Sequence, residues 1–320
     1  SLNEAERLRE DPELSKNALP LLRDAYLNVG NVHDFREEFD KAVKCYMRGI
    51  GESQWNSLAQ STFQSALGAV YLRAKQFELA SDVILSAIST KKAKKCDDPA
   101  IKADIGAAYF NLAQVRAGQT NFKAALKALK HAERYGYNCN YAELKDNYNK
   151  QAAQKSQLDE LQHQLKHAGD NEHEAILTQI ADIYQELSMF EEEAKSVIEL
   201  AGIREEKVEG GANARKEIAE MYGRIGEALT KAKRGGSAVL WHKKEIKIYR
   251  ELKLQECEAT ATNNLANALD EAKKPLEEVI KTYERALELD PELRRSVLNN
   301  MFLTLCSQET SLTKSQEEKK

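Results

Sequence analysis

The stretch Leu67-Gly68-Ala69-Val70-Tyr71 decides the fold of this chain, together with three residues further along it, Ala80, Ile84 and Ala87. Small residues are needed where two helices cross closely, and large residues beside them fill the space up to the next element. A second copy of the arrangement lies upstream, in Val29-Gly30, His33, Ala42, Tyr46 and Gly49. The recurrence predicts a unit of two antiparallel helices that is repeated along the chain.

Four more copies of this unit come after the first two. The small residue at the helix crossing recurs as Gly30, Gly68, Ala113, Ala181, Gly226 and Ala266. The copies resemble the tetratricopeptide repeat (TPR), a helix–turn–helix unit of about 34 residues. The resemblance implies an all-α fold, a TPR superhelical solenoid of antiparallel helix pairs. The predicted repeats are residues 23–56, 61–94, 106–139, 174–207, 213–252 and 257–292.

The segments outside the six repeats are predicted from their composition and pattern. Residues 1–19 are expected to be the remnant helix of a truncated upstream repeat, and the solenoid is expected to cover residues 20–308. A capping helix at 293–308 would close it. Residues 309–320 are charged and lack apolar anchors, so we expect them to be disordered.

One long polar helix is predicted to interrupt the repeats, because Ala113 and Ala181 lie 68 positions apart. It covers residues 141–168 and carries a partial apolar stripe of Leu144, Tyr148, Leu158, Leu161 and Leu165. We interpret it as a spacer or buttress within the solenoid. A short coiled-coil contact with a partner is the alternative.

Composition restricts the class of protein. The five cysteines are odd in number, scattered and without a CxxC pair, which favours a reducing compartment, cytosol or nucleus, over a disulfide framework. No run approaches about 18 consecutive apolar residues, so we expect no membrane span. The net charge of −4 does not by itself indicate a nucleic-acid-binding protein.

The sequence offers no arrangement of residues typical of an active site. Gly210-Gly211 and Gly235-Gly236 lie between helical patterns and are predicted to be turns, not phosphate-binding loops. His163 and His167 are four positions apart, as helical metal ligands are, but no further ligand supports them and we expect them to be solvated. We therefore expect a non-enzymatic protein without metal or cofactor.

A basic run, Lys91-Lys92-Ala93-Lys94-Lys95, lies at the end of the second repeat. We expect it to be a solvated loop. A nuclear-import signal or a phosphate contact is the alternative.

Candidate binding residues lie on the first helices of five of the six predicted pairs, all but the second, since first helices line the concave face of a TPR stack. The positions that flank the crossing residue at helical spacing are Asp24, Asn28, Asn31, Asp34, Asn111, Gln114, Gln179, Asp182, Glu186, Glu220, Arg224, Glu227, Asn264 and Asn267. Asparagine stands two residues before the crossing position at Asn28, Asn111 and Asn264. Because an amide donates and accepts hydrogen bonds, this ladder suits the backbone of an extended peptide, although asparagine is also tolerated on any wet helix face.

The carboxylates of this set are concentrated in its second half, at Asp182, Glu186, Glu220 and Glu227. Their negative charge favours a ligand that carries lysine or arginine. Simple solubility of an acidic surface is the alternative.

A narrower resemblance rests on the third repeat and the segment after it. The blocks Asn111–Gln114, Asn121–Leu126 and Lys130–Ala132 precede a Gln/Lys-rich helix, and the repeat pattern returns at Ile180–Tyr184. This order resembles the N-terminal TPR domain of Tonsoku-like proteins, whose long repeats are similar to those of the Pins/LGN group. The pattern departs from the usual one in the fifth repeat, where His242 stands in place of an aromatic residue.

The Tonsoku-like resemblance implies a nuclear scaffold at replication forks. Proteins of that family act in replication-coupled DNA repair by homologous recombination, and their TPR domain binds the N-terminal tail of histone H-3. The implied partners are therefore this tail and other replication-fork repair proteins, with no direct contact to nucleic acid or membrane expected.

The alternative is a cytoplasmic adaptor of the Pins/LGN or kinesin-light-chain type, which would bind an acidic or amphipathic segment of a partner protein. The cations Arg73, Arg224 and Lys231 on first helices keep this alternative open.

Overall fold

The protein is described from a computed structural model, which places residues 15–54, 56–94, 98–207 and 211–317. In these ranges every regular element is a helix. The chain divides into two compact units, Ser1–Lys155 and Ser156–Lys320, here called the N-terminal and the C-terminal unit. None of the described helices is both long and apolar enough to span a bilayer.

The N-terminal unit contains three helix pairs and the first part of a long helix. The pairs are α1 (Ser15–Phe35) with α2 (Phe39–Gly51), α3 (Ser57–Arg73) with α4 (Phe77–Ala93), and α5 (Pro99–Gly118) with α6 (Phe122–Arg134). The long helix is α7 (Tyr141–Leu165), and the boundary between the units falls within it.

The C-terminal unit contains the end of α7, three further pairs and a final helix. The pairs are α8 (Asp170–Glu186) with α9 (Phe190–Lys207), α10 (Ala212–Lys231) with α11 (Gly235–Glu251), and α12 (Gln255–Glu271) with α13 (Leu276–Leu289). A 3₁₀ turn at Pro291–Leu293 leads to α14 (Arg294–Glu317). Among the paired helices of each unit, consecutive helices pack together, and first helices also contact each other (α3 with α5, α10 with α12). This all-α arrangement of stacked helix pairs is a TPR-like solenoid.

The helix crossings are closed by small residues packed against large ones. A side chain on Gly30 would collide with the ring of Tyr46, and one on Gly68 would collide with Ile84. At Gly226 a Cβ atom would lie 2.5 Å from ring atoms of His242, so the histidine takes the place of the tyrosine in this repeat. The crossing glycines are therefore required by contact between side chain and backbone.

A recurring turn joins the first helix of each pair to the second. In every pair the residue after the first helix's last turn adopts a left-handed conformation with φ between 56° and 63°: Glu37, Lys75, Thr120, Ser188, Lys233 and Lys273. The backbone N–H groups there close Schellman turns, as in Asn121 N to Arg116 O at 2.8 Å and Thr120 N to Ala117 O at 2.8 Å. Glycine usually occupies this position, and the sequence patterns do not mark the turn because none of these six residues is glycine.

The left-handed turn is most strained at Thr120, because a β-branched side chain is the least compatible with φ = 56°. Replacing Thr120 by glycine is expected to raise the free energy of unfolding by about 0.5–1 kcal/mol, the relief of strain being partly offset by the greater backbone freedom of the unfolded chain. Thr120→Ala removes the branch but keeps Cβ, so its free energy of unfolding should lie between those of the unmodified protein and Thr120→Gly. Urea denaturation measures the stability of all three proteins, and a Thr120→Gly protein less stable than the unmodified one would refute the strain argument.

The second part of the long polar helix is a buttress in the C-terminal unit. Leu158 is fully buried, and with Leu161 it packs against Ile176 and Ile180 of α8. Gln162 Nε2 donates to the hydroxyl of Tyr184 at 2.7 Å. The apolar stripe of α7 is thus used within the chain itself in this unit, as the spacer or buttress interpretation expects.

Several predicted boundaries need correction. Residues 15–19, expected in an upstream remnant, belong to α1, which continues through Pro20; residues 1–14 lie outside the described part. The polar helix ends at Leu165 and not at 168. The last helix continues to Glu317, past the predicted end of the cap at 308 and into the tail expected to be disordered, because 309–317 contains no proline or glycine to stop it. Residues 318–320 are outside the described part.

One of the two predicted glycine turns is helical. Gly235 and Gly236, predicted to form a turn, are the first residues of α11. Gly211 is the N-cap of α10 and has an extended conformation, as expected of a residue between helices. Gly210 lies outside the described part of the chain.

Much of the basic run is helical too. Lys91 and Lys92, predicted in a solvated loop, are in the last turn of α4, where basic side chains offset the helix dipole. Lys91 is also buried, and its ammonium group donates to Ser65 Oγ at 3.1 Å and lies 3.2 Å from Asp104 Oδ2. Lys95 is not among the described residues.

Candidate peptide-binding faces

The first helices of each unit lie side by side, and polar side chains on neighbouring first helices contact each other. In the N-terminal unit Arg73 of α3 makes a bidentate ion pair with Asp34 of α1. In the C-terminal unit Arg224 of α10 reaches Asp182 of α8, and Asn264 of α12 reaches Glu227 of α10. We call the surface of α1, α3 and α5 the N-terminal first-helix face, and that of α8, α10 and α12 the C-terminal first-helix face.

Three amides on the N-terminal first-helix face are available to a ligand. Asn28 and Gln114 are exposed and Asn111 is half-buried, and none of them makes a hydrogen bond with any residue that the structure describes. Asn31 differs, because its Oδ1 accepts a hydrogen bond of 2.7 Å from the hydroxyl of Tyr46. Asn31 therefore orients the tyrosine at the crossing, which leaves its amide N–H₂ group as the part that can face a ligand.

The two acidic residues predicted on this face are placed differently. The Asp34 side chain is 15% exposed and is neutralised by Arg73. Asp24 is exposed and lines an open pocket of about 210 Å³ with Leu27, Asn56 and Phe63. Only Asp24 is thus placed to attract a cation from solution.

A cluster around Arg224 dominates the C-terminal first-helix face. Its guanidinium donates to Glu193 Oε1 at 2.8 Å through Nε and to Asp182 Oδ1 at 2.8 Å through Nη1, with Gln185 Oε1 at 3.4 Å. The Glu193 side chain is 3% exposed, whereas that of Asp182 is 55% exposed. Burial disfavours the charge on Arg224, but the hydrogen bonds to Glu193 and Asp182 outweigh it and raise the pKa of the guanidinium.

The Arg224 cluster changes the expected state of Asp182. Asp182 was expected to offer a free negative charge to a basic ligand, but it shares the single positive charge of Arg224 with Glu193, which leaves the cluster with a net charge of −1. Sequence reasoning placed Arg224 on the face but missed Glu193, because this glutamate belongs to the second helix α9 and shows no pattern that distinguishes it from the half-buried glutamates Glu191 and Glu192 before it.

Uncompensated negative charge remains at Glu227. This residue is exposed, and the group that contacts it is the neutral amide of Asn264, whose Nδ2 donates at 3.0 Å. Glu220 is exposed too, with Lys216 at 3.6 Å, a loose contact between exposed groups that contributes little. Asn267 repeats the role of Asn31 by accepting a hydrogen bond of 2.6 Å from the hydroxyl of Tyr283.

The field of Glu227 extends to a buried pair beneath it. His242 is fully buried, and its Nδ1 lies 2.9 Å from Oε2 of Glu245, while its Nε2 has no hydrogen-bond partner among the described residues. Burial raises the pKa of the Glu245 carboxyl, His242 opposes this rise, and Glu227 adds to it. The charge of Glu227 on the first-helix face is therefore close enough to influence the buried Glu245.

The remaining predicted residues are exposed and lie on the same helices. Gln179 has no hydrogen-bond partner in the described part of the chain, and Glu186 lies one helical turn after Asp182 on α8. The structure thus brings Gln179, Asp182 and Glu186 together with the α10 and α12 residues on one face of the C-terminal unit. The residues of the N-terminal unit form a separate set.

The cations that an acidic ligand would need are already engaged. Arg73 pairs with Asp34, and Arg224 pairs with Glu193 and Asp182. Lys231 lies over the ring of Phe190, 5.5 Å from its centroid. Each of the three cations on which the adaptor alternative rests thus has a partner within the chain.

His163 and His167, the histidine pair of the polar region, lie next to each other at an open surface. The rings of His163 and His167 are 5.3 Å apart at their centroids and line an open pocket with Glu172 and Ile176. Within the described ranges no group of three or more histidine, cysteine, aspartate or glutamate side chains could hold a metal ion.

Comparison with known proteins shows similarity at the level of solved structures only. No protein-family model matches the chain, and no curated protein matches it. Similar structures include the TPR2AB-domain:pHSP90-complex of yeast Sti1, with 14% identity, a TM-score of 0.38 and coverage of 89% of this chain and 99% of that chain.

Two further structures are similar to the same extent. A putative kinesin light chain from Podosopora anserina, with nearly identical TPR-like repeats, shares 13% identity at a TM-score of 0.34 over 72% of this chain and 95% of that chain. BtubC from P. vanneervenii shares 14% identity at a TM-score of 0.33 over 80% of this chain and 90% of that chain. Similarity at these TM-scores carries no argument about the ligand of this chain.

Proposed function

We propose that this protein is a non-enzymatic scaffold whose first-helix faces hold an extended, basic segment of another protein. The N-terminal tail of histone H-3 is the ligand that the Tonsoku-like resemblance names, and replication-coupled DNA repair in the nucleus is the corresponding setting. A histone tail is extended and basic, so its backbone would meet the amides and its lysines and arginines the carboxylates.

The observation that carries the proposal is the set of amides without partners. Asn28, Asn111, Gln114 and Gln179 all lie on first helices, and all lack hydrogen bonds to the described residues. An amide can donate to a peptide carbonyl and accept from a peptide N–H at the same time, which is the pairing that an extended backbone requires. Two other amides on first helices, Asn31 and Asn267, accept hydrogen bonds from tyrosines of the second helices and so stabilise the helix pairs to which they belong.

Electrostatics supports a basic ligand in the C-terminal unit. Among the described residues the exposed charge of Glu227 has a neutral partner, the Asn264 amide, and no cation, and Glu220 is loosely contacted. Asp182 shares Arg224 with Glu193 and is held by it, so the attraction depends on Glu227 and Glu220 more than on Asp182. Exposed charge pairs are screened by salt, so binding should weaken as ionic strength rises.

The direct test is a fluorescence-anisotropy titration with a labelled basic histone H-3 tail peptide at two salt concentrations. The Asn28→Ala/Asn111→Ala protein should bind at least about fivefold more weakly than the unmodified chain, because each amide contributes about 0.5–1.5 kcal/mol and about 1.4 kcal/mol is a tenfold change. The matched control is Asn147→Ala/Asn149→Ala, which removes two exposed amides from α7 of the same unit and should change the affinity less than twofold.

The outcomes separate the two levels of the proposal. If the tail does not bind but another extended basic peptide does, with the same loss in the Asn28→Ala/Asn111→Ala protein, the scaffold is right and the histone assignment is wrong. Equal affinities of both double variants would remove the first-helix amides from the binding surface.

A further inference from the structure

The exposed side of α6 carries a continuous basic stripe. Lys123, Lys127, Lys130 and Arg134 are spaced i, i+4, i+7 and i+11, which places them on one side of the helix. All four are exposed, and none is ion-paired with an acid in the described part of the chain. The stripe is about 16 Å long at 1.5 Å per residue, with neighbouring side chains about 5–6 Å apart.

A fifth cation is fixed beside the stripe by aromatic rings. Lys92 Nζ, in the last turn of α4, donates to the hydroxyl of Tyr109 at 2.9 Å and lies 5.2 Å and 5.7 Å from the ring centroids of Tyr109 and Tyr135. Tyr109 in turn stacks on His131 of α6, with centroids 4.8 Å apart. The stack joins the end of α4 to the basic side of α6.

The positive field of these groups converges on His131. Its pKa is lowered first by burial and then by the charges of Lys92, Arg134, Lys127 and Lys130. The acid nearest in sequence, Glu133, is contacted by Lys145 of α7 at 2.8 Å, which balances its charge. The patch is therefore strongly positive on a chain whose net charge is −4.

We propose that this basic stripe, Lys123, Lys127, Lys130 and Arg134 with Lys92 beside it, binds the phosphate backbone of a nucleic acid. Evenly spaced, unpaired cations over three helical turns suit a chain of phosphates, which is bound by charge without regard to base sequence. The stripe lies in the N-terminal unit on a second helix, and thus does not use the first-helix face assigned to the peptide.

The apolar content of the surface argues against other anionic partners. No large hydrophobic side chain is exposed between Leu85 and Ile198 among the described residues. A membrane-surface helix needs an apolar side that enters the lipid, and a folded partner protein is anchored mainly by aromatic and other large side chains in packed pockets. The basic stripe can bind a ligand mainly through positive charge, so a chain of phosphates suits it best.

The test measures binding of a fluorescein-labelled 20-nucleotide oligo(dT) and a 20-base-pair duplex to the full chain. With four phosphate contacts the slope of log K against log salt should be about −3 to −4, so duplex affinity should fall by about a hundredfold between 50 and 200 mM salt. In the variant Lys123→Gln/Lys127→Gln/Lys130→Gln/Arg134→Gln, which keeps Lys92, affinity at 50 mM salt should fall at least thirtyfold and the slope should shrink to about −1. Glutamine propagates a helix about as well as lysine, and circular dichroism checks that the variant is folded.

The control changes net charge equally at another place. Lys195→Gln/Lys243→Gln/Lys247→Gln/Lys281→Gln removes four exposed cations from the C-terminal unit and should bind within threefold of the unmodified chain. A third variant, in which Lys123, Lys127 and Lys130 are replaced by arginine, keeps the charge and should bind fully.

Three results would overturn the assignment: no binding of either probe at 50 mM salt, equal losses in the two glutamine variants, or displacement of the duplex by polyglutamate of equal charge. The last would show that the stripe takes acidic protein segments and not nucleic acid.

Discussion

Replacing Arg224 by alanine is expected to lower the free energy of unfolding by about 3 kcal/mol, one of the two largest losses that we predict. The reason is Glu193, whose side chain is 3% exposed and whose carboxylate receives the Arg224 Nε hydrogen bond at 2.8 Å. Removing one partner of a buried pair leaves the other charge unpaired in a poorly solvated site, which costs about 3–5 kcal/mol. Arg224 itself is 28% exposed, so water can partly replace it and the lower end applies.

The control for this prediction is Arg234→Ala. Arg234 also forms one ion pair with a glutamate of α9, Glu191, at 2.8 Å, but the side chains are 60% and 45% exposed. Exposed pairs contribute about 0–1 kcal/mol, so this variant should remain within about 1 kcal/mol of the unmodified protein in urea denaturation followed by circular dichroism. If the two arginine variants lost equal stability, Glu193 would not depend on Arg224.

The second large effect is expected at Gly235. This residue begins α11 and lies against the backbone at the end of α12, where an added Cβ would collide with Ala272 N and approach Glu271 C to 2.7 Å and Ala268 O to 2.8 Å. Backbone atoms cannot rotate away as a side chain can. Gly235→Ala should therefore force the two helices apart and cost about 2–3 kcal/mol.

The neighbouring glycine provides a matched control. A Cβ on Gly236 meets nothing within 4 Å, and this residue is exposed in the same helix turn. Gly236→Ala should leave stability unchanged or raise it by up to about 1 kcal/mol, because alanine favours the helix. A Gly235→Ala protein as stable as Gly236→Ala would contradict the close approach of α11 and α12.

The sequence predicts the helix pairs because the signal for them is local. A small residue at the crossing and a large one packed against it recur in each helix pair. Gly30, Gly68 and Gly226 therefore identify the crossing positions without knowledge of the rest of the fold. The left-handed turns between helices carry no such signal. Their conformation is imposed by the two helices that they join, and residues as unfavourable as Thr120 occupy them.

Whether a candidate side chain is paired with another residue or free to bind a ligand could not be predicted in the same way. The helical spacing of Asp182 and Glu227 places them on first helices, but their partners are distant in sequence: Arg224 is 42 positions from Asp182, and Asn264 is 37 positions from Glu227. Whether a carboxylate is free or balanced depends on these contacts. The basic stripe of α6 is visible in the spacing of its lysines, whereas the lack of acidic partners around it, among the described residues, becomes visible only in the fold.

The central claim, that first helices carry the peptide-binding surface, is tested most directly by site-specific photo-crosslinking to a labelled histone H-3 tail peptide. The photoreactive residue p-benzoylphenylalanine would replace Gln114 of α5 or Gln179 of α8, and in control proteins Asp82 of α4 or Lys247 of α11, all of which are exposed. The account predicts crosslinks from Gln114, Gln179 or both, and none from the second-helix positions. Crosslinks from Asp82 or Lys247 with none from Gln114 and Gln179 would contradict it.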